Sequence, residues 1–193
     1  MARWQEIIKR LEGKINVRGA EIGVERGQTA RRLLQQPNII EYLCVDVWRT
    51  HTIYNRWNKP VYNLVGRTQK DHNRNFRQFL KLASVHADKV RIITTESRKA
   101  ASIIPNDYFD FVFIDAGHDF ENVWADIKVW RNKIKHGGFL CGHDYGTTRF
   151  PGVKEAVDEY FALVEGSIQS THYRGEKWKL ILGGDYTWFA NRP

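Results

Sequence analysis

The sequence predicts an α/β fold built on a doubly wound, seven-stranded, mostly parallel sheet that ends in a C-terminal antiparallel pair. Five short apolar runs typical of buried strands alternate with segments of helical periodicity. This alternation favours a parallel sheet covered by helices on both faces. A glycine-rich turn joins the first strand to the following helix, and β-type runs on either side of Gly183-Gly184 predict the closing pair.

The 193 residues are enough for one domain with a full core, so we expect a single domain over residues 1–193. Residues 1–17 contain an N-terminal helix, because apolar side chains recur there at helical spacing. The parallel strands are predicted at Ala20–Val24, Tyr42–Val47, Lys89–Thr95, Asp110–Ala116 and Gly137–Cys141, and a further helix at Val153–Val164.

The stretch Arg18–Thr29, RGAEIGVERGQT, contains the residues of the first strand and turn that could contact a ligand. Its spacing is acid-x-Gly-x-x-x-Gly-x-Thr, from Glu21 through Gly23 and Gly27 to Thr29. Glycines let the backbone adopt positive φ or approach a ligand closely, and the helix that follows offers free N–H groups. The pattern predicts a nucleotide-type pocket, although a glycine-rich turn without a ligand would have the same sequence.

An acid ends the second strand, about 20 residues past the glycines, where nucleotide-binding folds hold the ribose hydroxyls. Asp46 is that acid, and Val47 follows it. The alternative role for Asp46 is a helix cap or a turn residue.

The segment Trp48–Lys81 carries eight basic residues against one acid, in a chain of formal net charge +8. Its first part, residues 48–70, has no helical or strand period, and we expect a basic aromatic lid loop there. Such a loop could select an anionic acceptor, such as a sugar carrying phosphate, uronate or a nucleotide. The alternative is a solvated basic face.

No run of about 18 apolar residues occurs, which argues against a membrane span and a membrane partner. Cys44 and Cys141 each lie in an apolar run, which predicts buried thiols and a reducing, cytoplasmic setting. A homo-oligomer is compatible with the sequence.

The first glycine motif resembles that of the class I S-adenosylmethionine-dependent methyltransferases. Three later stretches, IDAGHDFENVWADI, GGFLCGHDY and PGVKEAVDEY, resemble the small bacterial O-methyltransferases that modify sugars and natural-product hydroxyls. The resemblance covers roughly Arg18 to the C-terminus, and several motifs in the right order are more specific than the glycine turn alone.

The resemblance implies S-adenosylmethionine as the cofactor. The residues expected to contact it are Glu21, Gly23, Gly27, Thr29, Asp46, Val47, Glu96, Ser97 and Asp115. Glu96 and Ser97 follow the third strand, at the corner that lies next to the adenine ring in this fold. Ser97 could instead only cap a short helix.

A divalent metal, Mg²⁺ or Mn²⁺, is also implied. Related enzymes hold magnesium with one acid after the fourth strand and two acids after the fifth. Asp115 and Asp144 match these positions, whereas His143 stands where the relatives have an acid. The expected ligands are therefore Asp115, His143 and Asp144. Since imidazole suits manganese, iron or zinc better than magnesium, the identity of the metal stays open.

Three residues are expected to take part in catalysis: His118, His143 and Asp115. His118, three residues past Asp115, could be the general base, because a histidine near its ordinary pKa can take a hydroxyl proton. It could also be a metal ligand. For both histidines the alternative is a loop residue bonded to a backbone carbonyl.

The favoured function is methyl transfer to a hydroxyl of a small molecule or sugar. The second is a nucleic-acid methyltransferase, which the basic aromatic segment would suit, although no Asn/Asp-Pro-Pro-Tyr/Phe motif follows the fourth strand. The third is a non-catalytic S-adenosylmethionine- or nucleotide-binding module.

Overall fold

The computed structural model describes residues 2–50, 53–54, 60–61, 67–161, 170–173 and 176–193. Its α-helices are α1 (Arg3–Arg10), α2 (Gln28–Leu33), α3 (Gln69–Val85), α4 (Ser97–Ser102), α5 (Phe120–Trp130) and α6 (Pro151–Phe161). Its strands are β1 (Val17–Ile22), β2 (Ile39–Val45), β3 (Ile53–Tyr54), β4 (Pro60–Val61), β5 (Val90–Ile93), β6 (Phe109–Ile114), β7 (Ile134–Gly142), β8 (Ser170–Tyr173), β9 (Glu176–Leu182) and β10 (Trp188–Asn191).

Within the described ranges, eight strands form the main sheet, in the order β5-β2-β1-β6-β7-β10-β9-β8. The first five are mutually parallel, and β10 pairs antiparallel with both β7 and β9. The predicted doubly wound α/β fold is confirmed, and β9 with β10 forms the predicted closing pair. The tail adds β8, antiparallel to β9, to the seven strands expected from the sequence.

Two apolar clusters cover the two faces of the sheet, because successive strand residues point to opposite sides. Val112 and Ile114 of β6 face a cluster that includes residues of α4, α5 and α6. Phe111 and Phe113 of the same strand face the other cluster, with residues of α1, α2 and α3. This arrangement explains why the parallel strands read as almost continuous apolar runs.

The parallel strands end in one row. The pairing aligns Ile22 of β1 with Val45 of β2 and Ile114 of β6, while Val45 aligns with Ile93 of β5, and Ile114 with Gly142 of β7. The residues that directly follow these strands therefore project from the same edge of the sheet.

Part of the predicted lid loop, residues 48–70, contains an antiparallel pair, β3 with β4. Arg56, Lys59 and the aromatic residues Trp57 and Tyr62 of this loop lie outside the described residues or have no described side chain. The helix after the loop, α3, begins at Gln69.

Cys44 and Cys141 are free and buried, as the sequence predicted. In the part of the chain that the structure describes, none of the helices has the length and apolar character needed to span a membrane.

Candidate active site

The candidate site lies at the carboxyl edge of the sheet, where the strand order reverses between β1 and β6. Ligands of open α/β sheets bind outside the strand ends at such a point. Gly23 follows β1 there with a φ of +89°, and a Cβ on it would lie 2.2 Å from the carbonyl oxygen of Asp115. The two strand ends thus approach so closely that only glycine fits.

Asp46, the predicted ribose ligand, also holds the glycine turn. Its Oδ2 accepts hydrogen bonds from the backbone N–H groups of Val24 (2.9 Å) and Glu25 (2.8 Å), and its Oδ1 accepts one from Trp48 (2.9 Å). Among the described hydrogen bonds Oδ1 accepts only this one, and the side chain is half-buried. A carboxylate oxygen has two lone pairs, so Asp46 can hold the turn and still accept a bond from a hydroxyl.

The other residues of the first motif lie around this turn. Gly27, at a φ of +80°, directly precedes α2, and Thr29 is buried in the first turn of that helix. Val47 is half-buried directly after Asp46. These predicted cofactor contacts thus lie directly after β2 and around the start of α2, where Gly27 approaches the Phe79 and Leu82 side chains of α3.

Trp48 was expected in the lid loop, but its side chain is anchored in the core and is only 5% exposed. Its indole Nε1 donates to the carbonyl oxygen of Glu25 at 2.6 Å, and its ring packs on Phe76 and Phe79 of α3. Arg67 forms an ion pair of 2.5 Å with the Glu25 carboxylate. Both ends of the lid loop are thereby attached to the glycine turn.

Glu21 lies buried under the turn, where its Oε2 accepts a hydrogen bond of 3.1 Å from the hydroxyl of Tyr42. Burial, followed by the negative charge of Asp115, raises the pKa of Glu21 to about 8. Its carboxyl group is therefore largely protonated at neutral pH in this state.

Glu96 and Ser97 lie at the start of α4, but their side chains point to different partners. Glu96 is the N-cap residue and pairs with Arg49 at 3.3 Å. The Ser97 hydroxyl donates to Asp126 at 2.5 Å and accepts from the indole of Trp130 at 2.8 Å. The predicted cap role of the Ser97 side chain is therefore not observed, because a buried acid binds its hydroxyl.

Three side chains that can bind a metal ion lie close together where β6 and β7 end. Ligand atoms of Asp115, His118 and Asp144 all lie within 4.8 Å of one another. His118 Nε2 is 2.8 Å from Asp144 Oδ2 and 3.7 Å from Asp115 Oδ1. Asp144 has a φ of +62°, which turns its side chain back toward β6 from the loop after β7. The histidine of this group is His118, the alternative ligand, while the expected ligand His143 lies next to Asp144.

His143 lies beside this cluster. Its Nδ1 is 3.2 Å from Asp144 Oδ1 and 3.1 Å from Nη1 of Arg3. Its Nε2 is buried and has no hydrogen-bond partner among the described residues, while Asp185 Oδ2 lies 3.9 Å from it. Since Nδ1 can accept from Arg3 or donate to Asp144, but not both at once, the two neighbours compete for it.

The two carboxylates set the charge of His118. Burial alone would lower the pKa of His118, but Asp115 and Asp144 outweigh it and raise that pKa to about 9. Burial likewise opposes ionisation of Asp144, yet the hydrogen bonds from His118 and His143 hold the pKa of Asp144 well below its usual range. The ordinary pKa expected for a general base at His118 is therefore not found: in this state the ring is a cation at neutral pH.

A small pocket opens beside the cluster. Apolar walls from Ile114, Val153 and Trp188 stand next to His118 and His143. The His118 ring stacks on Phe150 with centroids 4.1 Å apart. This packing orients the imidazole plane with Nε2 toward the two carboxylates.

Two further side chains, which the sequence did not single out, reach this edge from distant parts of the chain. Arg3 of α1 places Nη1 3.0 Å from Asp115 Oδ2. Asp185, in the turn between β9 and β10, accepts a hydrogen bond of 3.3 Å from the backbone N–H of Arg3. No periodicity or motif marks either residue, because only the docking of α1 on the hairpin brings them here.

The donor set fits a divalent cation. Two carboxylates and an imidazole from adjacent strand ends are oxygen and nitrogen ligands of the kind that manganese, iron or zinc accepts. His143 adds a second imidazole within reach of Asp144. The residues present are therefore compatible with the predicted metal.

Several solved structures share the fold. The O-methyltransferase NovP is 17% identical, with a TM-score of 0.64, 98% of this chain covered and 77% of the other. Apo CalS11, a TDP-rhamnose 3'-O-methyltransferase of calicheamicin biosynthesis, is 10% identical, with a TM-score of 0.62 and coverages of 97% and 76%. A putative rRNA methylase from Clostridium thermocellum is 12% identical, with a TM-score of 0.59 and coverages of 98% and 95%.

No curated protein matches the chain. The family described as a methyltransferase domain matches residues 20–145, which is more than half of the chain and includes the glycine turn and both strand ends of the acidic cluster. The chain belongs to this methyltransferase domain family, as the resemblance to class I S-adenosylmethionine-dependent methyltransferases predicted.

Proposed function

We propose that this protein transfers a methyl group from S-adenosylmethionine to a hydroxyl of a small molecule or sugar, assisted by a divalent metal, Mg²⁺ or Mn²⁺. The observation that carries the proposal is the cluster of Asp115, His118 and Asp144 beside the glycine turn. NovP and CalS11, both described as O-methyltransferases, support a hydroxyl as the acceptor.

The cofactor would lie along the row of strand ends. When bound, S-adenosylmethionine supplies a methyl group activated by its positively charged sulfur. Glu21, Gly23, Gly27 and Thr29 would hold its methionine end, Asp46 and Val47 its ribose, and Glu96 and Ser97 its adenine, with Asp115 next to the first group. Because the Ser97 hydroxyl is bound to Asp126, we expect Ser97 to contribute through its backbone.

The acidic cluster would handle the acceptor. When bound, a divalent cation lowers the pKa of a hydroxyl and orients it. Asp115 and Asp144 supply the carboxylates, with His118 or His143 as the imidazole ligand. The histidine that is not a ligand can take the hydroxyl proton once it is neutral, and Phe150 keeps the His118 ring in place for that role.

The acceptor is proposed to be anionic, such as a sugar phosphate, a uronate or a sugar nucleotide. Arg49 and Arg67 lie at the two ends of the lid loop. Arg49 pairs with Glu96 at the start of α4, and Arg67 pairs with Glu25 in the glycine turn. Positive charge at this rim would concentrate anions by steering. The cytoplasmic location and a homo-oligomeric state stay predictions.

Nucleic acid is the second candidate acceptor. The observation that favours it is the excess of basic residues in Trp48–Lys81, and one structural neighbour is described as a putative rRNA methylase. A non-catalytic binding module is the third possibility, and it would bind cofactor without turnover.

Replacing Asp46 with alanine should weaken S-adenosylmethionine binding. Loss of a hydrogen bond to a charged group costs on the order of 1.5–3 kcal/mol, which corresponds to roughly 10–100-fold in affinity. Titration calorimetry measures the affinity, and thermal unfolding shows whether the turn survives. D88A, which removes an exposed acid after α3, is the control. Unchanged affinity in D46A would remove Asp46 from the cofactor site.

Chelation should abolish methyl transfer, and Mg²⁺ or Mn²⁺ should restore it, because the two carboxylates are proposed to hold the metal. Formation of S-adenosylhomocysteine with a panel of sugar nucleotides and neutral glycosides measures transfer. D144N should lose the metal response, whereas D158N, the same change in the Lys154 ion pair on α6, should keep it. Full activity after complete chelation would show that the reaction needs no metal.

The His118–Asp144 pair should stabilise the protein in a pH-dependent way. The folded-state pKa of His118 is raised, so its contribution is fully present below about pH 6.5 and is lost as the pH rises through about 9. In chelator, the free energy of unfolding of wild type minus that of H118Q should fall by up to about 3 kcal/mol between pH 6 and 10.

Urea denaturation at several pH values measures this difference. Glu21 and Asp126, whose pKa values are also raised, titrate in both proteins, so the subtraction largely removes them. A difference that stays constant with pH would mean that His118 is neutral in the folded state.

Neutralising Arg49, Arg56 and Arg67 together should raise the KM of an anionic acceptor and flatten its salt dependence, while S-adenosylmethionine affinity stays nearly constant. A matched control replaces the exposed Arg74, Arg77 and Lys81 of α3, which removes the same charge from the same segment. Equal effects of both triple variants, or an equal loss of cofactor binding, would exclude the loop as an acceptor filter.

A further inference from the structure

One guanidinium nitrogen of Arg3 contacts two of the three side chains that are predicted to bind metal. Its Nη1 is 3.0 Å from Asp115 Oδ2 and 3.1 Å from His143 Nδ1. The Arg3 side chain is 23% exposed, so this contact is formed at the partly buried edge of the site and not on open surface.

The position of Arg3 is fixed by the docking of α1 on the β9–β10 hairpin. The backbone N–H of Arg3 donates to Asp185 Oδ2 at 3.3 Å, and Glu6 Oε1 accepts from the backbone N–H of Gly184 at 2.6 Å. Ile7, one turn along the helix, is fully buried in the core. The docking of α1 therefore holds Arg3, its first residue, at the site.

Arg3 contacts two of the side chains that are proposed as metal ligands, Asp115 and His143. Asp115 Oδ2 is engaged by the guanidinium, while its Oδ1 faces His118. Because arginine only donates, Nδ1 of His143 can bond to Arg3 only when it accepts instead of donating to Asp144, and the hydrogen of a neutral ring then lies on Nε2. In that tautomer neither nitrogen of His143 has a lone pair for a metal.

We propose that Arg3 is a resident cation of the active site, a positioning residue that holds Asp115 and His143 and competes with the divalent metal for them. The inference rests on the proposed metal site. Arg3 compensates the charge of Asp115 before the metal binds, and the metal has to displace its guanidinium from that carboxylate. The N-terminal helix thereby sets the metal affinity of the site.

The test is Mn²⁺ binding to the full chain, followed by the electron paramagnetic resonance signal of the free ion, without acceptor or turnover. R3Q should bind Mn²⁺ about tenfold more tightly or better, because a competing positive charge a few ångströms from the site is removed. R3K, which keeps the charge, should stay closer to wild type. K9Q, the same charge change on an exposed position of α1, should not alter the affinity.

The direction of the change separates this role from a merely structural one. If Arg3 only supports Asp115, R3Q will bind Mn²⁺ equally or more weakly, which overturns the proposal. R3M provides a second neutral variant if R3Q does not fold. Adding D144N to R3Q should abolish the tight binding, and if binding persists the Mn²⁺ lies elsewhere and the proposal fails.

The outcomes also distinguish this inference from the proposed function. Mn²⁺ binding that depends on Asp144 in wild type, with no change in R3Q, leaves the metal site standing and removes the role of Arg3. Absence of Mn²⁺ binding in both wild type and R3Q removes the metal and Arg3 proposals together. Methyl transfer measured on the same samples shows whether the enzymatic proposal survives.

Discussion

The hydrogen-bonded row in which five parallel strands end is the constraint on which the rest of the structure depends. The ladder continues one residue past several strands: the N–H groups of Gly23, Asp46, Asp115 and His143 donate to Val45, Ile93, Ile22 and Ile114. These bonds extend the ladder to the first residue after four of the strands. Polar groups from distant parts of the sequence are thereby held in one row. Their spacing is set by the sheet and not by the loops that follow.

Charge neutralisation is the second organising force. Asp115 and Asp144 would repel each other at the converging ends of β6 and β7, and their burial makes isolated charges costly. His118 lies between them and Arg3 covers the outer oxygen of Asp115, so each carboxylate has a cationic neighbour. The site is thus held together by the same groups that are proposed to bind metal and acceptor.

The glycine turn is the third element, and it depends on a carboxylate outside its own motif. Asp46 accepts the N–H groups of Val24 and Glu25, and Trp48 closes over the Glu25 carbonyl. Glu25 and Trp48 both have positive φ without being glycine, a conformation that persists only where the surroundings hold it. The described ends of the lid loop and the glycine turn are therefore joined by these contacts.

The sequence by itself determined the fold class, the five parallel strands with their closing antiparallel pair and the residues at the strand ends, because apolar periodicity and glycine spacing are local signals. It also predicted that Asp115, His143 and Asp144 lie close together, with His118 near Asp115, since parallel topology brings the ends of the fourth and fifth strands together. It did not show that His118 is held as a cation by two carboxylates, since a pKa depends on three-dimensional surroundings. The inward bond of Ser97 to Asp126 and the approach of Arg3 to Asp115 were decided by helix docking alone, because they join residues far apart in the chain and no local pattern records such a contact.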